Sequence, residues 1–268
     1  MASVYKTAAA VCFVALYGLQ SEAAGTTISH KFIPIAVEDA GYVAANLARN
    51  GKLPVHINAV AKDDNLVSTL TGTVKSKNVT ETVEDAEATI DETCSSLVKE
   101  GELKDIFHYT FEYNNVSKSS PNYRELLQKA LDAGLEIFKK TKDQNKWEKI
   151  WEDEAGASLA YLLGANSTTI GCVIGQCIAA KTADDGGQSV PEGATGKAVL
   201  FCELNPAAKK NQAPFDDEYF EGLIARTAKL ADMTEEDLKA PSNDGTAAAA
   251  VPTILAAGLV AVLTAISA

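Results

Sequence analysis

The hydrophobic and polar positions of this chain switch repeatedly between a helical and a two-residue period. From Pro34 to Asn50, Ala36, Ala40, Val43 and Leu47 fall on one helical face, and Gly51 follows as a C-terminal stop. Between Leu66 and Val74 the β-branched content and the flanking Asp63-Asp64-Asn65 predict a strand. Helical spacing returns over Val79 to Val98. There Val83, Ala86, Ile90, Cys94 and Leu97 line one stripe, which sets the Cys94 thiol against the core. Phe107, Tyr109, Phe111 and Tyr113 then alternate with Ile106, His108, Thr110 and Glu112, a strand pattern.

Ser120-Pro121 opens a helix, Ser as cap and Pro at its first position, with Leu127, Leu131, Leu135 and Phe138 inward. Trp147, Ile150 and Trp151 begin a helical stretch that reaches Leu163. Thr168 to Ile178 reads as a buried strand, Asp184-Asp185-Gly186-Gly187 as a polar loop, and Ala198 to Leu204 as the last strand. A helix from Phe215 to Leu230 follows, and Thr234-Glu235-Glu236-Asp237 caps a short final turn. No internal repeat interrupts this order. Helices interleaved with a few strands predict an α+β fold, a sheet covered by helices on both faces.

Both ends depart from this mixed pattern. After the weakly basic start Met1-Ala2-Ser3-Val4-Tyr5-Lys6 comes an apolar run through Val11, Phe13, Val14 and Leu16 that is too short to span a bilayer. Ser21-Glu22-Ala23 then places small residues where a signal peptidase needs them, so 1–23 is expected to be a signal peptide. At the other end Ser242-Asn243-Asp244-Gly245 precedes an apolar tail with no charge after it. A resident span normally carries Lys or Arg on its cytoplasmic side. Small residues, a short spacer and a hydrophobic end are instead what a GPI transamidase reads. The expected organisation is a domain over 24–239, a stalk over 240–243 attached at Asn243 (Ser242 and Gly245 are the other candidates), and a removed propeptide over 244–268.

Roughly 220 mature residues suffice for a sizeable core without help from a metal. With Cys12 in the signal segment, Cys94, Cys172, Cys177 and Cys202 remain. An even count in an oxidising compartment reads as two disulfides, with three connectivities open. A direct Cys172–Cys177 bridge is disfavoured. Five residues along a strand put the two on opposite faces about 16 Å apart, far beyond the roughly 4.4–6.8 Å a disulfide tolerates. The formal net charge of −12 argues against nucleic acid or anionic lipid as the main partner. Asn78, Asn115 and Asn166 each open a glycosylation triplet.

Two segments carry a resemblance. Ile170-Gly171-Cys172-Val173-Ile174-Gly175-Gln176-Cys177 resembles the I-G-C-A-x-x-x-C segment of the CAP superfamily, the cysteine-rich secretory, antigen-5 and pathogenesis-related group. Val199-Leu200-Phe201-Cys202-Glu203-Leu204-Asn205-Pro206 resembles its V-C-x-Y-x-P segment, with Leu204 at the aromatic position. With the two termini and the closing Pro214-Phe215-Asp216-Asp217-Glu218-Tyr219-Phe220, nearly the whole chain is similar to the SAG family, GPI-linked surface antigens of Eimeria parasites. The CAP likeness implies a three-layer α-β-α sandwich with bridges Cys172–Cys202 and Cys94–Cys177. Closing loops of about 30 and about 80 residues, these are worth at most about 3.5 and 4.5 kcal/mol.

Catalytic signatures are sparse. Many CAP proteins carry a cleft with two histidines and two glutamates, which a metal can occupy. Their G-H-Y-T-Q segment aligns without gaps on Ala157-Ser158-Leu159-Ala160-Tyr161, which matches none of its positions. Serine is a poor zinc ligand. His30, His56 and His108 form no pair with metal spacing, and His108, in an aromatic strand, fits a hydrogen-bonded structural role. Gly193-Ala194-Thr195-Gly196-Lys197 lacks the first glycine of a phosphate loop, where Pro191 stands. Asp216-Asp217-Glu218 and Glu235-Glu236-Asp237 lack the spacing of a calcium loop and suit first turns of helices.

The expectation is therefore a protein that is not an enzyme and carries no metal or cofactor. Its predicted role is adhesion or immune interaction at the outer leaflet of a plasma membrane, where weak contacts gain from repetition. Lys139, Lys140, Lys142, Lys146 and Lys149 cluster on an otherwise acidic chain. They suit either a solvated helix end or a patch for sulfated host glycans; host antibodies are the other partner the resemblance implies. Two rivals stand beside it. A lipid or sterol carrier, an activity of some CAP proteins, needs an apolar cavity. A degenerate hydrolase needs a cleft in which Ser158, Glu152 or Glu154 meets a histidine.

Overall fold

A computed structural model describes residues 26–83, 96–99, 101–113, 120–141, 147–183 and 190–239. Its sheet is built around β5 (Thr169–Ala183), which lies between β1 (Thr26–Ala36) and β6 (Val190–Asn205). The strand order is β3-β1-β5-β6-β4, with β3 at Asn78–Val83 and β4 at Phe107–Glu112 on the two edges. These pairings are all antiparallel; the two-residue β2 (Ala61–Lys62) runs parallel to the start of β5. The fold is a mixed α+β one.

Both faces of the central strands are buried, which is why β5 and β6 read as near-continuous apolar runs. Ile170, Cys172 and Ile174 on β5, with Ala198, Leu200, Cys202 and Leu204 on β6, belong to the larger core. Over it lie α1 (Asp39–Asn50), α4 (Tyr123–Lys140), α6 (Glu154–Leu162) and α7 (Asp217–Ala225), through residues such as Leu47, Leu131, Leu159 and Tyr219. The intervening positions Val173, Cys177, Val199 and Phe201 face a smaller core. That one is closed by Leu70 and Val74 of α2 (Asp64–Ser76), by Leu97 and Val98 of α3 (Ser96–Lys99), and by Leu103 in the 3-10 turn Glu102–Asp105.

Several elements differ from the sequence-based expectation. Residues 66–74 are helical, because Asp63 caps α2 by accepting hydrogen bonds from the Asn65 and Leu66 amides. The acidic flank taken as a strand boundary is that cap, and Leu70 and Val74 are its inward i, i+4 pair. Conversely, residues 78–83 are strand rather than helix, paired with β1 from Thr26 to Lys31; Ala86, Ile90 and Cys94 lie outside the described residues. The first helix starts at Asp39, not Pro34. Pro34 to Ala36 still pair with β5, and β3 has already ended opposite Lys31, so the proline stands where no ladder bond is lost. Ala36 and Ala40 are consequently exposed, and Tyr42, Ala45, Leu47 and Ala48 face inward.

Asn122, not Ser120, caps α4 by accepting from the Glu125 amide, so Pro121 precedes the helix. The stretch from Trp147 divides into α5 (Trp147–Glu152) and α6, where the Asp153 side chain accepts from the Gly156 amide and starts a new helix. Helix α7 ends at Ala225 rather than Leu230, since Arg226 turns extended and sends its guanidinium to the carbonyls of Leu47, Ala48 and Gly51. The strand over Phe107–Glu112, the inward leucines of α4 and the Thr234/Asp237 capping box stand where the pattern placed them. So do β5 and β6, each longer than expected. The 184–187 loop lies outside the described residues.

Candidate functional site

Cys172 and Cys202 stand directly opposite one another on β5 and β6, with Cα atoms 4.2 Å apart, and are disulfide-bonded. Such close Cα spacing marks a non-hydrogen-bonded antiparallel pair, in which side chains approach most closely. Cys177 is also disulfide-bonded and belongs to the core on the other face of β5. Cys94, its expected partner, lies outside the described residues.

The residues named for a hydrolytic site do gather, around β4 and the start of α6. The His108 ring is almost wholly buried, with Nδ1 3.0 Å from the Ile106 carbonyl oxygen and Nε2 3.3 Å from Oε1 of Glu154. Ser158 turns to the main chain instead. Its hydroxyl accepts from the His108 amide at 2.9 Å and donates to the His108 carbonyl at 2.7 Å. A nucleophile needs its hydroxyl hydrogen-bonded to the ring of a base; here it satisfies two backbone groups of β4.

Beside His108 a cavity of about 200 Å³ is lined by Trp151, Glu152, Glu154, Tyr161 and Lys210. Burial, and then the nearby Asp105 carboxylate, pushes the Tyr161 phenol up to about 12, so it is neutral at physiological pH. A larger hollow of about 410 Å³ opens between α2 and the end of β6, lined by Leu70, Leu103, Ile106, Phe107 and Leu204. Glu203 borders it with its carboxyl raised above the usual range, first by burial and then by Glu102. Among the described residues no group of three His, Cys, Asp or Glu is spaced to hold a metal ion.

Of the remaining expected site residues, Asn78 and Asn166 are exposed, as are Thr80 and Thr168 of their triplets. Lys139 and Lys140 end α4 and Lys149 lies on α5, all three exposed; Lys140 is 3.8 Å from Glu136. Asn115, Lys142, Lys146 and Asn243 lie outside the described residues, together with the stretches expected to be signal peptide, stalk and propeptide. No helix among the described residues is long and apolar enough to cross a membrane.

Fold and site together define an α+β protein whose central strand is bridged to its neighbour by a buried disulfide. No protein-family model matches the chain, and no curated protein matches it. Among solved structures it is similar to the surface antigen protein SAG19 of Eimeria tenella, at 16% identity over 72% of this chain and 97% of that one, with a TM-score of 0.40. A likeness of that depth assigns neither fold nor function.

Proposed function

We propose that the chain is a disulfide-held surface antigen, GPI-anchored through Asn243 to the outer leaflet of a plasma membrane, and that it acts as a non-catalytic adhesin toward host cells or as a target of host antibodies. The observation that carries this reading is the Cys172–Cys202 bridge at the centre of the sheet. Buried structural disulfides belong to oxidising compartments, which is where the two terminal segments would send the chain. The bridge also fits the CAP-like three-layer sandwich over 24–239, with Cys94–Cys177 as the second tie. Ser158 supports the non-catalytic part, since its hydroxyl is spent on the His108 main chain. The exposed Lys139, Lys140 and Lys149 are available to sulfated glycans.

The test has two arms. Treating cells that display the protein with a phosphatidylinositol-specific phospholipase, after deacylating the inositol, releases it in an aqueous-soluble form if the anchor is a glycolipid. Retention on the membrane after that treatment excludes the anchor. Clustered protein should then bind host cells with an affinity that falls as salt rises; no binding at any ionic strength removes adhesion and leaves a coat role.

A second reading, a lipid or sterol carrier, is favoured by the hollow bordered by Leu70, Leu103, Ile106 and Leu204. Glu102, Asp105 and Glu203 on the same lining work against an anionic lipid there. Saturable uptake of a neutral sterol by delipidated protein, weakened by Leu103→Trp, would establish it.

A further inference from the structure

β4 is the last strand of the sheet on its side, and among the described residues no strand lies beyond it. An open edge carries backbone donors and acceptors that want partners. Ser158 shows which ones face outward. It bonds both the amide and the carbonyl of His108, so these point away from β6. Main-chain groups alternate along a strand, so Thr110 and Glu112 present theirs the same way, while Tyr113 turns its amide back to Gly196. Ser158 thus closes one end of the edge, and among the described residues no side chain or loop bonds the next two outward pairs.

Those two pairs look into space. A hollow of about 420 Å³ lies against Phe107 to Thr110, walled by Ala130, Ala133 and the start of α6. A second, of about 540 Å³, lies against Tyr109 to Tyr113, walled by Pro121, Glu125, Leu126 and Lys129 at the start of α4. They share Tyr109 and Thr110, so one groove follows β4 along its length, about 20 Å at 3.3 Å per residue. Its rim holds four carboxylates, Glu112, Glu125, Asp153 and Glu154. Among the described residues two of these carboxylates are paired with an ammonium group, Glu125 with Lys129 at 2.7 Å and Glu112 with Lys197 at 3.4 Å.

We infer that the open edge of β4 takes an extended, basic segment of a partner protein as an added strand, held by the backbone of Thr110 and Glu112 and by the acidic rim beside α4 and α6. Strand addition to an exposed edge draws affinity from main-chain hydrogen bonds and selectivity from alternate side chains. A second copy is the poorer occupant, because its own Glu112, Glu125 and Glu154 would meet the same charges. The inference holds whether or not the chain carries a lipid anchor.

The probe is a fluorescent hexapeptide of alternating lysine and valine, titrated into the full chain beside the same peptide N-methylated at alternate amides, in both registers. Saturable binding that weakens on the order of tenfold in one N-methylated register, as loss of two backbone bonds requires, supports the inference. So does a comparable weakening by Thr110→Pro, a substitution an edge strand tolerates on its outer side. Should that variant misfold, the two peptide registers decide on the unaltered protein. Equal binding of both N-methylated registers and the parent, absence of saturable binding, or concentration-dependent self-association abolished by Thr110→Pro would each overturn it.

Discussion

Tyr42 supplies, with one hydroxyl, the two hydrogen bonds that the sheet fails to give Cys172. Its oxygen lies 3.4 Å from both the amide nitrogen and the carbonyl oxygen of Cys172, accepting from the first and donating to the second. The need arises because β1 pairs with β5 only as far as Val173 and β2 takes over only at Ile170. Ser158 does the same for His108 at the sheet edge. In both places a helix hydroxyl stands in for an absent strand.

Tyr42→Phe should therefore strand a buried donor and acceptor beside the disulfide. The expected loss is about 1–3 kcal/mol, the desolvation cost of polar groups left unmade. It would be read as a lower urea midpoint at unchanged slope, with the Cys172–Cys202 bridge still intact by peptide mapping.

Replacing both Cys172 and Cys202 by alanine removes a cross-link over 30 residues. Unfolded-chain entropy sets the cost at about 3.5 kcal/mol or less. Equilibrium denaturation should show it, and disulfide mapping of the unaltered protein should recover the Cys172 and Cys202 peptides joined. A second linked pair carrying Cys94 and Cys177 is expected in the same digest.

One glycine packed against α2 and one within it should respond oppositely to alanine. A Cβ at Gly171 would come within 2.6 Å of Leu66 Cβ and the Val67 amide nitrogen, where α2 lies on β5. Backbone cannot swing aside, so Gly171→Ala should cost about 1–3 kcal/mol. Gly72 lies within α2 with nothing inside 4 Å of such an atom, and Gly72→Ala should gain about 0.5–1 kcal/mol. Thermal melts of the two variants would separate packing from propensity.

Glu203 gives a pH dependence of definite sign. Its native pKa is raised by burial first and Glu102 second, so the folded state holds this proton more tightly than the unfolded chain. Its contribution to stability therefore falls as pH climbs from the ordinary carboxylate value through the raised one, and stays constant above that. Glu203→Gln should accordingly melt higher than the parent at pH 7 and level with it near pH 3. Equal differences at both pH values would show that ionisation is not the cause.

Elements whose apolar pattern matches their final burial were legible in the sequence. Leu127, Leu131, Leu135 and Phe138 mark one face of α4, and the aromatic alternation marks β4. Helix α2 was missed because Val67, Thr69, Thr71, Thr73 and Val74 favour a strand taken alone, while the decisive signal was the Asp63 cap. Strand β1 was missed although Ile28, His30 and Phe32 are buried at alternate positions; Pro34 and the alanines beyond it suggested a helix instead. The His108–Glu154–Ser158 grouping joins residues 46 and 50 apart. Only the rival hydrolase reading had set Ser158 and Glu154 against a histidine, and no local pattern could show that the serine would turn to the backbone.

The segment from Arg226 to Lys239 crosses two helices like a strap. Arg226 grips the end of α1, Lys229 reaches Asp132 and the Leu230 amide reaches Gln128 on α4. Met233 is held through its carbonyl by Arg124, and the Lys52 amide bonds the Asp237 carbonyl. Tension applied beyond Lys239 is consequently shared between α1 and α4 before it reaches any strand. A molecule tugged from that end would peel its last turns first and keep the bridged sheet whole.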